Sequence, residues 1–308
     1  MIEVQNVTKK FGRTTALDTI SFHVNEGEIF GYLGPNGAGK TTTMRIMLGL
    51  LKPTSGKALV WGKDLGDHNM LRGHVGVLLE NDGLYERLSA YENLNYYASL
   101  YGVADREKKI KDLLDLTELA DRKDDKVGNF SKGMKRKLGL ARALVHDPGI
   151  IFFDEPSAGL DPEAQKMVRD LIVNLSSEKR ITVFLNSHDL DEVQRICSRV
   201  AILKQGTIMV SDALDNLRNR HTKPVVEMVF ADESKAGAAL DIVKGMDYVE
   251  GCERHNSTLT ITLKNNGRPA GLLSVVIEQG IEVEEMKKIT KSLEEVYLET
   301  VGKKNENE

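Results

Sequence analysis

Gly34-Pro35-Asn36-Gly37-Ala38-Gly39-Lys40-Thr41 is the stretch on which the reading of this chain turns. It fits the pattern G-x-x-x-x-G-K-[ST] in full. Its surroundings fit as well. Residues 28–33 form a short apolar run that reads as a strand, and residues 41–51 carry a helical pattern that ends at Lys52-Pro53. Glycines let backbone N–H groups curl around phosphate oxygens without Cβ clashes, and the helix that follows turns its positive end to the same anion. In this arrangement Lys40 reaches the β- and γ-phosphates and Thr41 ligates Mg²⁺, with Thr42 next along the helix. The bland alternative is a Gly-rich turn with a chance Lys-Thr, and the flanking strand and helix argue against it. The loop by itself implies a nucleoside triphosphate and leaves the reaction open.

Two further stretches narrow the chemistry. Ile150-Ile151-Phe152-Phe153-Asp154-Glu155-Pro156 is a buried-strand run ending in two carboxylates. Ligands of open α/β sheets lie at the carboxyl ends of strands, so Asp154 is expected to hold Mg²⁺, directly or through water. Glu155, on the other side of the pleat, is expected to orient the attacking water and take its proton. Ile181-Thr182-Val183-Phe184-Leu185-Asn186-Ser187-His188 is a second buried strand with a histidine just past its end. His188 is then a donor to the γ-phosphate and a support for Glu155. Acidic pairs and histidines at strand ends are commonplace as solvated or capping groups. Their order after the phosphate loop is what gives these their weight.

Outward from these stretches, short strands read at residues 2–7, 20–24, 57–64 and 75–79. Ser89-Ala90-Tyr91-Glu92 is a capping box that opens a helix to about residue 100. Further helices read at 105–116 and 132–145, so residues 89–145 form a helical block between strands. The alternation resumes with helices at 162–176 and 190–197 and a hairpin at 200–210. The polar stretch 212–222, ending at Lys223-Pro224, reads as a linker. Beyond it the order is strand 225–230, helix 234–243, strands 248–252 and 258–263, helix 269–279 and strand 282–286. That is the ferredoxin-like β-α-β-β-α-β order, followed by a helix at 292–301 and a frayed tail from 302.

Composition bounds the rest. The chain has 308 residues and net charge −4, enough for about two domains of ordinary size. Residues 1–220 carry +1 and residues 221–308 carry −5. Neither part is a basic nucleic-acid binder, and no nucleic acid is expected as a partner. Cys197 and Cys252 are the only cysteines, which suits a reducing cytoplasm rather than a disulfide scaffold. The apolar runs fall well short of the roughly 18 residues of a membrane span. The start Met1-Ile2-Glu3-Val4 has no basic or apolar leader region, so no secretory signal is expected.

The segment Phe130-Ser131-Lys132-Gly133-Met134-Lys135-Arg136-Lys137-Leu138-Gly139-Leu140-Ala141-Arg142 resembles the signature of ABC-transporter ATPases, usually Leu-Ser-Gly-Gly-Gln. Ser157-Ala158-Gly159-Leu160-Asp161 resembles their D-loop. Phe11 resembles the aromatic residue that stacks on adenine. With the phosphate loop, the acidic pair and the histidine, these match one complete cassette over residues 1–220. The Ser-Lys-Gly-Met form of the signature resembles the drug- and antibiotic-resistance exporters, as does Ser292-Leu293-Glu294-Glu295-Val296-Tyr297-Leu298-Glu299 near the end. Lys132 stands where the family usually has Gly, and Met134 where it has Gln. Glu80 stands where the family has the Gln that touches Mg²⁺ and the attacking water.

The resemblance implies an α/β fold: a P-loop NTPase core of the RecA-like kind, an antiparallel β subdomain and an inserted helical subdomain at about 89–145. A smaller ferredoxin-like α+β domain at 221–308 completes the chain. It implies an ATP-binding, ATP-hydrolysing subunit of an exporter. Glu155, His188 and Lys40 would be catalytic. Phe11, Gly34, Pro35, Asn36, Gly37, Ala38, Gly39, Thr41, Thr42, Ser131, Gly133 and Asp161 would contact ATP, and Thr41, Asp154 and Glu80 would contact Mg²⁺. Two cassettes would face head to tail, so that Ser131 and Gly133 act on the ATP of a second copy or a paralogue. A polytopic membrane permease would dock near residues 81–92, placing the chain in the cytoplasm on the inner face of the membrane. The competing reading is a soluble ABC ATPase acting on a ribosome, DNA or a regulatory complex. Such relatives usually carry two fused cassettes or a coiled-coil insertion, which this chain lacks.

Overall fold

The structure is a computed structural model that describes residues 1–79, 82–219, 224–264, 269–289 and 292–302. The chain divides into two compact units, one holding Met1–Leu214 and the other Asp215–Glu299.

The first unit begins with β1 (Ile2–Phe11), β2 (Thr14–Val24), β3 (Ile29–Leu33), α1 (Lys40–Met47), β4 (Ser55–Val60), the short α2 (Asn69–Arg72) and β5 (Val75–Leu78). Three helices follow: α3 (Ala90–Leu100), α4 (Arg106–Leu116) and α5 (Lys132–Leu144). The alternation then returns with β6 (Ile150–Asp154), α6 (Pro162–Ser177), β7 (Thr182–Ser187), α7 (Leu190–Ile196), β8 (Arg199–Lys204) and β9 (Thr207–Ala213). Strands β2-β1-β4 form an antiparallel sheet, and β5-β6-β7-β3-β8-β9 form a six-stranded sheet. The larger sheet is parallel except for its edge strand β9.

Every residue of β3, β6 and β7 is buried, as expected of central parallel strands covered on both faces. Phe22 of β2 stacks on Phe30 of β3 at 5.6 Å, and Phe184 of β7 packs against Phe22, Phe30, Tyr32 and Phe152. One aromatic cluster therefore ties the antiparallel sheet to the parallel one. The strand order places β7 between β6 and β3, with Leu33 beside Ser187 and Asp154 beside Asn186. Three chain segments far apart in sequence thus end side by side at the sheet's carboxyl edge.

The helix ends follow local chemistry. Ser89 and Glu92 complete the expected capping box on α3, which satisfies two orphan backbone donors at once. Asp161 caps α6 with Pro162 in its first turn, a position where proline's missing N–H costs nothing. Along α6, Ala164, Val168, Leu171, Ile172 and Leu175 are buried, a stripe at helical spacing. The expected linker is a point of difference. Residues up to Ala213 finish β9, and Leu214–Asn219 form a helix, α8. Leu214 and Leu217 are buried, so two leucines at i, i+3 give an otherwise polar stretch an apolar edge. Trp61, expected on a strand, follows β4 with a left-handed φ of 53° and is half-buried.

The second unit contains β10 (Val225–Val229), α9 (Glu233–Lys244), β11 (Val249–His255), β12 (Thr258–Leu263), α10 (Pro269–Glu278), β13 (Glu285–Ile289) and the start of α11 (Leu293–Gly302). Its sheet order is β11-β12-β10-β13, with all neighbours antiparallel. Val226, Met228 and Phe230 alternate along one strand and Leu259, Ile261 and Leu263 along its partner, filling a core against the two helices. The last strand begins three residues later than its apolar pattern suggested. Ile281 and Val283 pack on that core, but the ladder to β10 starts at Glu285.

Candidate active site

A cavity of about 380 Å³ lies at the carboxyl edge of the large sheet. Asn36, Gly37, Gly39, Lys40, Thr41 and Thr42 line it from the loop after β3. Asp154 lines it from the end of β6, and Glu155 and His188 from the loops after β6 and β7. The loop's shape depends on its glycines. Gly39 caps α1 with φ 110°, a conformation that L side chains rarely adopt. A Cβ there would stand 2.6 Å from Leu17 Cδ2 and 2.8 Å from Ala16 O, and a Cβ on Gly34 would overlap Leu203 O. Gly37 has φ 78° but open space around it.

Lys40, the first residue of α1, is buried. Its Nζ donates to Gly34 O at 2.7 Å and to Pro35 O at 3.4 Å. Burial holds its pKa below the ordinary lysine value, while the charges of Glu155 and Asp154 oppose that shift. Thr41 Oγ1 donates to Asp154 Oδ2 at 3.5 Å. Behind it, Thr43 Oγ1 donates to Gly39 O at 3.1 Å and lies 3.2 Å from the hydroxyl of Tyr32, which pins the first turn of α1 to β3.

Asp154 ends β6 and is buried. Glu155 does not continue the pleat to the opposite face, as the strand pattern suggested. It adopts a left-handed φ of 52°, and the bend aims its carboxylate into the cavity that Asp154 lines. Its N–H donates to Asn186 O at 2.8 Å. His188 Nδ1 donates to Glu155 Oε2 at 2.7 Å.

Asn186 was not singled out from sequence. It is buried, it lines the cavity and its Nδ2 donates to Asp154 Oδ1. Its Oδ1 is one of the few buried side-chain atoms among the described residues without a hydrogen-bond partner. Along the chain the only signal is an amide that interrupts the apolar run of β7; its place beside Asp154 comes from the pairing of β6 with β7. Ala16 and Ala158 also line the cavity and carry no residue-type signal.

The remaining expected contacts lie outside this cavity. Phe11 ends β1, half exposed, with Lys9 Nζ 5.0 Å from its ring centroid. Ser131 caps α5 by accepting from Met134 N at 3.2 Å, and Gly133 follows in the first turn of that helix. Lys132, in place of the usual glycine, extends its ammonium over Gly159. Asp161 accepts from Ala164 N at 2.9 Å. Pro35 and Ala38 belong to the loop without lining the cavity. Glu80 and Asn81 fall outside the described residues.

The residues present suit a magnesium-bound triphosphate. The path of the loop depends on glycine at 34 and 39, where a Cβ would strike Leu203 O or Leu17 and Ala16 O. The donor set for the metal is one carboxylate and one hydroxyl, beside a buried amide oxygen free to accept from a metal-bound water. Mg²⁺ characteristically takes one or two protein ligands and completes its shell with phosphate and water. No group of three or more His, Cys, Asp or Glu able to hold a metal occurs among the described residues.

Comparison with known proteins identifies the family. Residues 17–158 match the family described as ABC transporter, and residues 213–301 match the C-terminal domain of ATP-binding proteins like DrrA1-3. An ABC transporter ATP-binding protein of Bacillus subtilis, YhcH, is 37% identical over 99% of this chain and 97% of its own length. The bacitracin transport ATP-binding protein BcrA of Bacillus licheniformis is 34% identical over 98% of this chain and 97% of its own. A fluoroquinolones export ATP-binding protein of Mycobacterium tuberculosis is 36% identical over 80% of this chain and 81% of its own. Among solved structures, a dimeric ATP-binding cassette in a post-hydrolysis state with ADP and Pi has a TM-score of 0.64 at 28% identity, over 70% of this chain and 99% of that one. This chain belongs to the ATP-binding proteins of ABC transporters and is an ATPase.

Proposed function

We propose that the chain powers export through a separate membrane subunit, in the branch that handles drugs and antibiotics. The observation that carries this is the convergence in one cavity of Lys40, the Thr41–Asp154 pair and the Glu155–His188 pair. It is joined by full-length likeness to relatives named for bacitracin transport and fluoroquinolone export. No helix among the described residues is long and apolar enough to cross a membrane, so the path for a cargo belongs to a partner. The reading puts the chain on the inner face of the cell membrane.

In this reading the loop N–H groups and Lys40 bind the phosphates of ATP. Thr41 and Asp154 would hold Mg²⁺, and Asn186 fixes the Asp154 carboxylate. The metal would neutralise charge on the β- and γ-phosphates. Glu155 orients the attacking water and takes its proton, and His188 holds that carboxylate and reaches toward the γ-phosphate. Phe11 stacks on adenine. Ser131 and Gly133, at the positive end of α5, meet the γ-phosphate of ATP bound by a second cassette, with Asp161 at the same junction. Closure on ATP and reopening after hydrolysis would be the working stroke. The segment after position 81 would receive the membrane partner. There Tyr85 is half exposed and packs edge-on to Tyr96 at 5.1 Å.

The test is purification of the tagged full chain from detergent-solubilised cells. Recovery of a polytopic membrane protein in stoichiometric amount is expected. Cosedimentation with ribosomes, and no membrane protein, would overturn the reading.

A further inference from the structure

Arg136 lies on α5 little more than one turn from the helix end that carries Ser131 and Gly133, and it is almost fully buried. Its Nε donates to Pro156 O at 2.9 Å. One terminal nitrogen donates to Asp154 O at 2.8 Å and Glu155 O at 2.7 Å. The other donates to Leu79 O at 2.7 Å and to Asp82 Oδ1 at 2.7 Å. One guanidinium therefore takes three consecutive carbonyls after β6 and two acceptors that bracket positions 80 and 81 in sequence.

Three successive carbonyls cannot face one donor in a regular strand, where they alternate. They can here because Glu155 is left-handed. That conformation is costly for a non-glycine residue and persists only where its surroundings impose it. The five N–H groups of arginine form a planar fork that suits such a cluster, and a lysine ammonium does not.

We infer that Arg136 is a positioning residue for ATP hydrolysis. It holds the bend that aims the Glu155 carboxylate, and it ties that bend both to the helix bearing Ser131 and Gly133 and to the segment flanking position 80. A rotation of α5, or a pull on Asp82, shifts the Glu155 backbone through a single side chain. ATP binding through the loop after β3 does not involve it. The inference rests on Glu155 being the hydrolytic base, which Glu155→Gln tests separately.

The experiment is steady-state ATP hydrolysis and ATP binding by the purified full chain carrying Arg136→Lys. Misplacement of a reacting group by about 1 Å can cost on the order of 10²-fold in rate. We expect kcat to fall at least about tenfold while KM and the ATP dissociation constant stay within about twofold. Wild-type kcat, or an ATP affinity that falls in step with kcat, overturns the inference. If Arg136→Lys does not fold, Asp82→Asn carries the test from the exposed side of the cluster. A several-fold loss of kcat at constant KM supports the inference, and an unchanged kcat overturns it. Should Glu155→Gln itself hydrolyse ATP normally, the assignment of the base fails. Should Glu155→Gln be inactive while both other variants match wild type, only the role of Arg136 fails.

Discussion

His188 Nδ1 donates to Glu155 Oε2 at 2.7 Å, and the backbone N–H of the same histidine points at that oxygen from 3.4 Å. The histidine side chain is mostly exposed and the glutamate mostly buried. So exposed a contact adds little to folding stability; its use is to hold one carboxylate oxygen of a residue that lines the cavity. Glu155→Gln keeps the shape and loses the base. Loss of a general base commonly costs on the order of 10²–10⁴ in rate. Turnover is expected to fall by that order with ATP binding retained, and ATP-bound dimers are expected to accumulate. His188→Ala should lower kcat in the same direction with a smaller effect on ATP affinity. Normal single-turnover hydrolysis by Glu155→Gln would remove it from the role.

In the proposed reading Lys40 serves binding rather than the proton transfer. It is buried among backbone carbonyls, and its charge is available where phosphate would lie. A hydrogen bond to a charged group is worth about 1.5–3 kcal/mol, or roughly 10–10²-fold in affinity. Lys40→Ala should weaken ATP by that factor in equilibrium dialysis. Its fold should be intact, since the change removes a desolvated charge. An unchanged dissociation constant would contradict the cradle.

The phosphate loop offers a graded test of sterics against backbone conformation. Gly34→Ala would drive a Cβ into Leu203 O, and Gly39→Ala would press on Leu17 and Ala16 from a φ of 110°. Overpacking of this kind costs about 1–3 kcal/mol. Gly37→Ala meets only the left-handed conformation, at φ 78° with nothing nearby, for about 1–2 kcal/mol. Denaturant unfolding should rank Gly37→Ala as the mildest of the three. A larger loss at Gly37 than at Gly34 would mean that backbone strain, not close packing, sets the loop.

Sequence carried much of this site because its chemistry needs rare combinations in short windows. Gly39-Lys40-Thr41 and Asp154-Glu155 can be read locally, and so can the cap Ser89 with Glu92. What escaped reading acts across strands. Asn186 matters because β7 lies beside β6, and Arg136 because α5 crosses under the end of β6. Neither neighbour is visible along the chain. The side to which Glu155 turns was also beyond a pleat argument, since the bend depends on acceptors and donors from other elements. In the second unit the order of strands and helices could be read along the chain, and the alternation of Val226, Met228 and Phe230 marks the face that fills the core. The late start of β13 could not be read, because Ile281 and Val283 are apolar without being paired.

Glu192 supplies a pH test of the framework behind the site. It lies on α7, almost fully buried, and accepts hydrogen bonds from Ser157 Oγ and, at 2.9 Å, from Ser187 Oγ. It thus joins the loop after Glu155 to the strand end before His188. Burial raises its pKa above the ordinary 4.5; the two serine bonds pull it down, and the charges of Asp189 and Glu155 push it up. A carboxyl whose folded pKa is raised keeps its proton in the native state where the unfolded chain has released it. Its contribution is therefore fully present below the unfolded value and is lost as pH rises through the folded one. Glu192→Gln is neutral at every pH and of the same size, so it lacks that loss. As pH rises from 4.5 the Tm of the wild type should fall relative to that of Glu192→Gln, with the gap widening over the range in which only the folded chain keeps the proton. A gap that stays constant across that range would show that the Glu192 carboxyl does not titrate differently in the folded and unfolded chain.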